Sequence, residues 1–126
     1  RRRFLLSGHT NSLRELAVSP EGRVLASARA DRKINLWSLE TGELLFSLCG
    51  HRALVRAMVF APDGRSLLAG DASGVLKAWN VATGQELCDL DQISGSYRGL
   101  YFFADARRLL CFSEDRSVRL LDWRSQ

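Results

Sequence analysis

Short apolar segments alternate with polar turn sequences from one end of the chain to the other. Two of the turns, Ser19-Pro20-Glu21-Gly22 and Ala61-Pro62-Asp63-Gly64, combine a proline that presets one backbone angle with a glycine that tolerates a positive one. Short strands at roughly ten-residue spacing, separated by such turns, indicate an antiparallel all-β protein. The predicted strands of the best-defined part of the chain are 13–18, 23–28, 34–37, 43–48, 55–60, 66–69, 75–79 and 86–90.

The pattern repeats every 42 residues, the distance from Gly8 to Gly50, and the copies align without a gap. A third, weaker copy begins near Gln92 and ends at Leu121-Asp122. A fixed period of this size predicts a repeat array, in which each unit is buried against its neighbours and broad surfaces remain for partners. The equivalent pairs in the first two copies are Gly8-His9 and Gly50-His51, Pro20 and Pro62, Trp37 and Trp79, and Thr41-Gly42 and Thr83-Gly84.

The first strand of each copy has an irregular apolar spacing. Leu13, Leu16 and Val18 are separated by three and then two positions, and Val55, Met58 and Phe60 repeat this spacing. A regular strand would place apolar residues at every second position. One extra residue in the strand, a β-bulge, would return the apolar side chains to the same face of the sheet and redirect one other side chain. We therefore predict a bulge in each of these strands.

The composition of the chain is that of one ordinary globular unit. It has 126 residues, of which 46% are hydrophobic and 25% charged, with a net charge of +4. No apolar run approaches the roughly 18 residues of a membrane span, and the three residues Phe4-Leu5-Leu6 after Arg1-Arg2-Arg3 are too few for a signal peptide. Because the first residue is not Met, we expect an excerpt or a processed product.

These motifs resemble those of the WD-repeat (β-transducin-like) family of β-propellers. The resemblance is carried by Gly-His, an apolar strand, Pro-Asp-Gly, a strand of small residues, an Asp corner and a closing Trp. It covers essentially the whole chain and implies three four-stranded antiparallel blades, with repeats at 8–48, 50–90 and 92–126 and with residues 1–7 as the outer strand of a closing blade. The third repeat departs from the pattern, since Gln92-Ile93 replaces Gly-His and Leu121 replaces the closing Trp.

The phase of the repeats bears on assembly. A lone predicted strand, Arg3–Leu6, precedes the first Gly-His, and the last repeat ends after its third strand, 118–122, so the total is twelve strands, or three blades. Three blades should not close a ring, because propellers have about 4 to 8 of them. The chain is therefore expected to be a segment of a larger propeller, with the remaining blades as partners, or half of a dimeric ring made with a second copy of itself.

The resemblance also implies a buried structural network in each blade rather than a catalytic triad. In the family a histidine, a hydroxyl residue, an aspartate and a tryptophan are hydrogen-bonded together, and in the first repeat these are His9, Ser27, Asp31 and Trp37. The second repeat keeps His51 and Trp79 but has Ala69 and, at the Asp position, Ser73. The third keeps only Asp115 securely. Since buried polar groups need partners, the first blade should be the most rigid.

Arginine occupies one equivalent position in all three repeats, at Arg14, Arg56 and Arg98. In the resembled family this position lies in the bulged first strand near the mouth of the central channel, where side chains contact ligands on the top face. An arc of guanidinium groups there suits carboxylates or phosphates, and Glu114 is a further candidate contact. The alternative is that these arginines are solvated, or paired with Glu15 and Glu114.

The function that these features favour is a rigid, non-catalytic scaffold for protein partners, which binds an acidic or phosphorylated segment on the top face. The alternative is RNA or DNA binding through the arginine-rich surface. No residue set supports an enzyme, and no catalytic residue, cofactor or membrane partner is assigned. Zinc held by Cys49 and His51 is a weak possibility, because no second pair stands at ligand spacing.

Two minor features complete the expectations. The three cysteines, Cys49, Cys88 and Cys111, are interpreted as buried reduced thiols of an intracellular protein, cytoplasmic or nuclear. Phe103 and Trp123 are less easily placed. Each would face a partner or pack on blades outside this chain.

Overall fold

The computed structural model of the chain describes residues 13–103, 105 and 107–123. Every regular element in these residues is a β-strand, which confirms the all-β fold class. The turns place the strand ends within two residues of the predicted positions. The strands are β1 Leu13–Val18, β2 Val24–Arg29, β3 Ile34–Ser38, β4 Leu44–Leu48, β5 Val55–Phe60, β6 Ser66–Asp71, β7 Val75–Asn80, β8 Glu86–Gln92, β9 Tyr97–Phe102, β10 Arg108–Ser113 and β11 Val118–Asp122.

The described strands form three antiparallel sheets in chain order. The first sheet is β1-β2-β3-β4 and the second is β5-β6-β7-β8. The third contains β9, β10 and β11. Each sheet is a meander of neighbouring strands, which is the arrangement of propeller blades. The predicted strand Arg3–Leu6 lies outside the described residues.

Both predicted bulges are present, in β1 and β5, and the first strand of the third sheet has one as well. Between β1 and β2 the register shifts between Leu13 and Glu15, and between β5 and β6 it shifts between Val55 and Ala57. Between β9 and β10, Tyr97 pairs with Ser113 and Gly99 with Phe112, so residue 98 is the extra one. Each bulge therefore adds one unpaired residue near the beginning of its strand.

The core consists of two apolar layers, each between two successive sheets. One joins the first and second sheets and is built around Ile34, Leu36 and Met58. The other joins the second and third sheets around Leu76 and Tyr97. Stacked sheets that share such layers are the expected result of a repeat in which each unit buries its face against the next.

Tyr97 explains a glycine in the second of these layers. The Tyr97 side chain is fully buried and lies directly over Gly70 of β6. A Cβ atom at Gly70 would come within 2.7 Å of the tyrosine Cγ, which is closer than carbon atoms pack. Gly70 therefore leaves the space into which the ring of the next sheet fits.

The structure corrects two expectations about single residues. Trp123 is buried and packs edge-on against Phe102 of its own sheet, with 6.4 Å between ring centroids, so neither placement considered for it was right. Phe103 is partly exposed, and the Arg108 guanidinium lies 4.6 Å from its ring centroid.

The expectation of three buried thiols is wrong for two of them. Cys111 is buried, but Cys49 is exposed and Cys88 is half-buried.

Candidate binding site

The residue added by each bulge is an arginine. Arg14 stands between the paired residues Leu13 and Glu15, and Arg56 and Arg98 hold the same place in β5 and β9. A bulged residue is free of the regular alternation, so its side chain leaves the row of core-facing neighbours. This explains why a charged side chain is accommodated at the same point of three strands whose neighbouring residues are mainly apolar.

The three arginines line one cavity. The strands β1, β5 and β9 lie next to one another, β1 against β5 and β5 against β9, so their bulges converge. The cavity has a volume of about 420 Å³ and its described lining is dominated by polar groups. Its lining residues are Arg14, Glu15, Val55, Arg56, Ser96, Tyr97, Arg98 and Glu114.

The three arginines of the cavity lack a direct ion-pair partner in the described part of the chain. None of the three forms a hydrogen bond or an ion pair within 4.0 Å with a described residue, so the pairing with Glu15 and Glu114 that the sequence left open is not formed. Other basic residues do have such partners. Lys77 contacts Asp89 at 2.7 Å and Glu86 at 3.0 Å, and Arg119 contacts Asp91 at 3.0 Å.

The two glutamates of the cavity have different surroundings. Glu15 is half-buried, and burial raises the pKa of its carboxyl although the positive charge of Arg56 opposes the shift. Glu114 is exposed, and its backbone N–H donates a hydrogen bond of 2.8 Å to the carbonyl of Ser96. This bond ties the β10–β11 turn to the segment that carries Arg98.

Two of the network residues predicted for the first sheet, Ser27 and Trp37, are hydrogen-bonded to each other. The Trp37 indole Nε1 donates a hydrogen bond of 2.9 Å to the Ser27 hydroxyl, and both side chains are buried. Asp31 accepts a hydrogen bond of 3.1 Å from the backbone N–H of Lys33, which stabilises the turn into β3. His9, the remaining member, lies outside the described residues.

In the second sheet the partner of His51 is a residue that the sequence did not single out. His51 Nδ1 lies 2.8 Å from a carboxylate oxygen of Asp71, and both side chains are buried. The other oxygen of Asp71 accepts hydrogen bonds from the Ser73 hydroxyl at 2.6 Å, from Ser73 N–H at 2.9 Å and from Val75 N–H at 3.1 Å. Burial raises the pKa of Asp71, but these hydrogen bonds outweigh it and hold the pKa below 3.8.

The same sheet contains two unsatisfied polar atoms. His51 Nε2 and Trp79 Nε1 are buried and have no hydrogen-bond partner in the described part of the chain. In the first sheet the Ser27 hydroxyl accepts a hydrogen bond from Trp37. The equivalent residue in the second sheet is Ala69, which has no hydroxyl. In the neutral imidazole that donates through Nδ1, Nε2 is an acceptor, while Trp79 Nε1 is a donor.

The third sheet keeps only the carboxylate of the network. Asp115 accepts hydrogen bonds from the Ser113 hydroxyl and, at 2.9 Å, from Ser117 N–H. These bonds lower the pKa of Asp115 to about 2. A separate interaction holds Tyr97, whose hydroxyl donates to Asp91 at 3.0 Å, and Asp91 in turn pairs with Arg119.

The described residues form no group of three or more His, Cys, Asp or Glu side chains that could hold a metal ion. His51, the histidine considered with Cys49 for zinc, is buried with its Nδ1 engaged by Asp71. The serine closest to this His–Asp pair, Ser73, donates its hydroxyl to the aspartate. No described helix is long and apolar enough to cross a membrane.

Asp71 was missed because the 42-residue alignment places Ser73, two positions later, at the turn where the family has its aspartate. Asp71 is the last residue of β6, whereas Ser73 lies in the turn that follows, so strand alternation does not relate the two positions. The strict repeat therefore carried no signal for Asp71. Asp91 and Tyr97 carried no comparable signal.

The repeated meanders, the inner-strand bulges and the His–Asp and Ser–Trp pairs define a propeller built of WD-type blades. In agreement, the family model described as "WD domain, G-beta repeat" matches residues 1–38 and 42–80. This chain belongs to the WD-repeat family. Members of this family typically act as scaffolds for interactions between proteins.

Individual relatives match only parts of their own length. The protein Mut11 of Chlamydomonas reinhardtii is 49% identical over 37 residues, which are 29% of this chain and 10% of Mut11. Among solved structures, a structure of U3-55K has a TM-score of 0.87 and 31% identity over 93% of this chain and 38% of that chain. A crystal structure of the RRP9 WD40 repeats has a TM-score of 0.86 and 31% identity over 93% of this chain and 37% of that chain.

Proposed function

We propose that this chain is a non-catalytic WD-repeat scaffold that binds an acidic or phosphorylated segment of a protein partner in the arginine-lined cavity. The observation that carries the proposal is the convergence of Arg14, Arg56 and Arg98 on one cavity, each from a bulge and each without an ion-pair partner among the described residues. A cluster of unpaired cations at the surface raises the local concentration of anionic ligands.

The chemistry of guanidinium groups fits this class of ligand. Each offers a planar fork of donors that matches a carboxylate or phosphate bidentately, and hydrogen bonds to charged groups contribute about 1.5 to 3 kcal/mol each. Arg14, Arg56 and Arg98 come from three separate sheets, so a ligand that reaches all three must bridge them. Glu114, at the rim, would accept hydrogen bonds from N–H groups of the bound segment.

The same lining supports binding rather than catalysis. Among the described residues of the cavity none is a histidine, cysteine or lysine, the usual groups that exchange protons or attack substrates near neutral pH. The Tyr97 hydroxyl is hydrogen-bonded to Asp91, and burial raises its pKa far above the physiological range. The cavity thus presents fixed charges, which suits recognition.

The cysteines support an intracellular setting for this role, in the cytoplasm or the nucleus. All three thiols are unpaired, and burial raises the pKa of the Cys111 thiol to about 11, which keeps it protonated. Free thiols are typical of reducing compartments. Imaging of the tagged full-length protein would test the setting.

The binding proposal is tested by titrating a fluorescent peptide that carries phosphoserine and aspartate into the chain. We expect Arg56→Glu to weaken binding at least tenfold, about 1.4 kcal/mol. The matched control is Arg65→Glu, which makes the same charge change in an exposed residue beyond the other end of β5. We expect it to change the affinity less than twofold.

Equal losses from the two variants would contradict the proposal, because they would show attraction by net charge alone. The same titration with a single-stranded RNA separates the alternative function. For three phosphate contacts the slope of log affinity against log salt is about −2, whereas a much steeper slope together with tight RNA binding would favour a nucleic-acid-binding surface.

A further inference from the structure

Two turns contain an arginine in a backbone conformation that favours glycine. Arg32, in the β2–β3 turn, has a φ of 66°, and Arg116, in the β10–β11 turn, has a φ of 71°. They are the only described residues other than glycine with a positive φ. This conformation is uncommon for a long side chain and carries a cost, because the Cβ atom crowds the backbone.

The two arginines occupy one position of the repeat, and the second sheet has glycine there. Gly74 lies 42 residues after Arg32 and 42 residues before Arg116, and its φ is 91°. A Cβ atom at Gly74 would overlap the carbonyl oxygen of Ile93, so only glycine fits in the second sheet. Glycine would also have no conformational cost in the other two turns, and yet both have arginine.

The turns hold the two arginines in this conformation through an aspartate. Asp31 accepts a hydrogen bond of 3.1 Å from the Lys33 N–H, and Asp115 accepts one of 2.9 Å from the Ser117 N–H. In each turn the arginine lies between the acceptor and the donor. Strained residues persist where the surrounding structure fixes them in this way, and they concentrate at functional sites.

Both arginine side chains are accessible to a ligand. Arg32 and Arg116 are exposed, and neither guanidinium forms a hydrogen bond or an ion pair with a described residue. The cost of the backbone conformation is therefore not offset by a contact within the described part of the chain.

The two turns lie at the strand ends that carry the bulges. The β2–β3 turn begins directly after Arg29, which pairs with Leu13, the neighbour of Arg14. The β10–β11 turn contains Glu114, which lines the arginine cavity. One turn therefore belongs to the first sheet and the other to the third, so they stand on either side of the second sheet at the end where the cavity is formed.

We propose that Arg32 and Arg116 are additional anion contacts on the two sides of the arginine cavity. The bound segment would then have acidic or phosphorylated residues flanking the group in the cavity. This inference rests on the proposed function, because it extends the same site. Each guanidinium offers a charged fork of donors to a carboxylate or phosphate, and this contact is made only when the ligand is bound.

Replacing either arginine by glycine should therefore stabilise the free chain. We expect Arg32→Gly and Arg116→Gly each to raise the midpoint of thermal unfolding, followed by circular dichroism, by about 2 to 5 °C. Lys33→Gly is the matched control, because it removes the same charge from the next exposed residue, whose φ is not positive. Its midpoint should not rise, since glycine has a cost at an ordinary φ.

The same variants should weaken the binding of a flanked ligand. The probes are a fluorescent phosphoserine peptide with two aspartates on each side and a peptide with asparagines in their place. We expect each arginine variant to weaken the aspartate peptide about threefold and the double variant about tenfold, because the two residues lie in different sheets. The asparagine peptide, and the aspartate peptide on Lys33→Gly, should change less than about twofold at physiological salt.

Three results would overturn the inference. A thermal midpoint that fails to rise would remove the backbone cost on which it depends. Equal losses for the two peptides, or an equal loss from Lys33→Gly, would show attraction by net charge. A larger loss for a single-stranded RNA than for the aspartate peptide would assign the two arginines to nucleic acid.

The variant Arg56→Glu separates this inference from the proposed function. If it leaves the asparagine peptide bound as tightly as the wild type does, the arginine cavity is not the site and both proposals fail. If it weakens that peptide while the double arginine variant binds both peptides like the wild type, only the flanking contacts are wrong.

Discussion

At the scale of single residues, one hydroxyl group distinguishes the buried networks of the first two sheets. Ser27 accepts the indole hydrogen of Trp37, whereas its equivalent Ala69 leaves Trp79 Nε1 and His51 Nε2 without partners in the described part of the chain. An unsatisfied buried polar group costs about 1 to 3 kcal/mol. One hydroxyl group could accept a hydrogen bond from Trp79 Nε1 and donate one to His51 Nε2.

We therefore predict that Ala69→Ser raises the free energy of unfolding by about 1 kcal/mol. The new hydroxyl would accept a hydrogen bond from Trp79 and donate one to His51. Urea unfolding followed by tryptophan fluorescence measures the change. The reciprocal variant Ser27→Ala should lower stability by about 1 to 2 kcal/mol, because it isolates Trp37 in the same way. A neutral or destabilising Ala69→Ser would show that the hydroxyl does not reach both atoms.

The buried carboxylate of Asp71 should make stability depend on acid pH. Its pKa and that of Asp115 are held below 3.8 in the folded chain, so their contributions are fully present above about pH 4 and are lost as the pH falls toward 2. We predict that Asp71→Asn lowers the free energy of unfolding by about 2 to 3 kcal/mol at pH 7. This difference from the wild type should shrink as the pH approaches 2.

Urea midpoints measured from pH 7 to pH 2 test this dependence. Val59→Ala, which destabilises the chain without removing a carboxylate, is the control, and its difference from the wild type should not shrink over the same range. A cost of Asp71→Asn that stayed constant down to pH 2 would contradict the assignment of Asp71 as the ionised partner of His51.

Residue patterns in the sequence predicted the Ser27–Trp37 neighbourhood but not the His51–Asp71 pair. A repeat alignment shows which residues are equivalent, so it found Ala69 and Ser73 at their positions. It does not show that a carboxylate two residues before Ser73 can bind His51. Such compensation depends on where side chains meet in space.

At the scale of elements, the bulge determines the chemistry of each first strand. It separates the apolar residues that face the neighbouring sheet from one arginine that does not. The apolar spacing of three and two was sufficient to predict the bulges from sequence, because strand periodicity is strict. The strand ends were predicted for a similar reason, since turn residues such as Pro62 and Gly64 have strong local preferences.

Packing between neighbouring sheets is tested at Gly70. Its Cα faces the Tyr97 ring of the next sheet, and both residues are buried. We predict that Gly70→Ala lowers the free energy of unfolding by about 1 to 3 kcal/mol, because the new methyl group overpacks the layer. Thermal or urea unfolding measures the loss.

Gly99→Ala is the matched control for this prediction. A Cβ at Gly99 would meet the exposed Tyr101 side chain at 3.0 Å, and that ring is free to move aside. Gly99 is buried in β9, but the close contact of the new methyl group would be with a side chain that is 57% exposed, so we expect a clearly smaller loss than at Gly70. Equal costs at Gly70 and Gly99 would contradict the close approach of Tyr97 to Gly70. The sequence contained no sign of this contact, which joins residues of different sheets.

At the scale of the whole molecule, the repeat determined both what was predicted and what was not. The 42-residue period predicted three blade-like sheets, which the structure confirms, and the family model matches residues 1–38 and 42–80. The three arginines converge because the sheets are adjacent and their bulges lie on one side. Equivalent positions in the sequence repeats do not by themselves show this arrangement, which requires knowledge of the fold.

The central claim is that Arg14, Arg56 and Arg98 act as one anion-binding site. The most direct test is to titrate a phosphoserine peptide while following the arginine side-chain Nε–Hε signals by nuclear magnetic resonance. We predict that these three signals shift together along one binding curve, while those of Arg23 and Arg65 stay in place. Shifts spread over all arginines, or separate curves for the three, would contradict a single site.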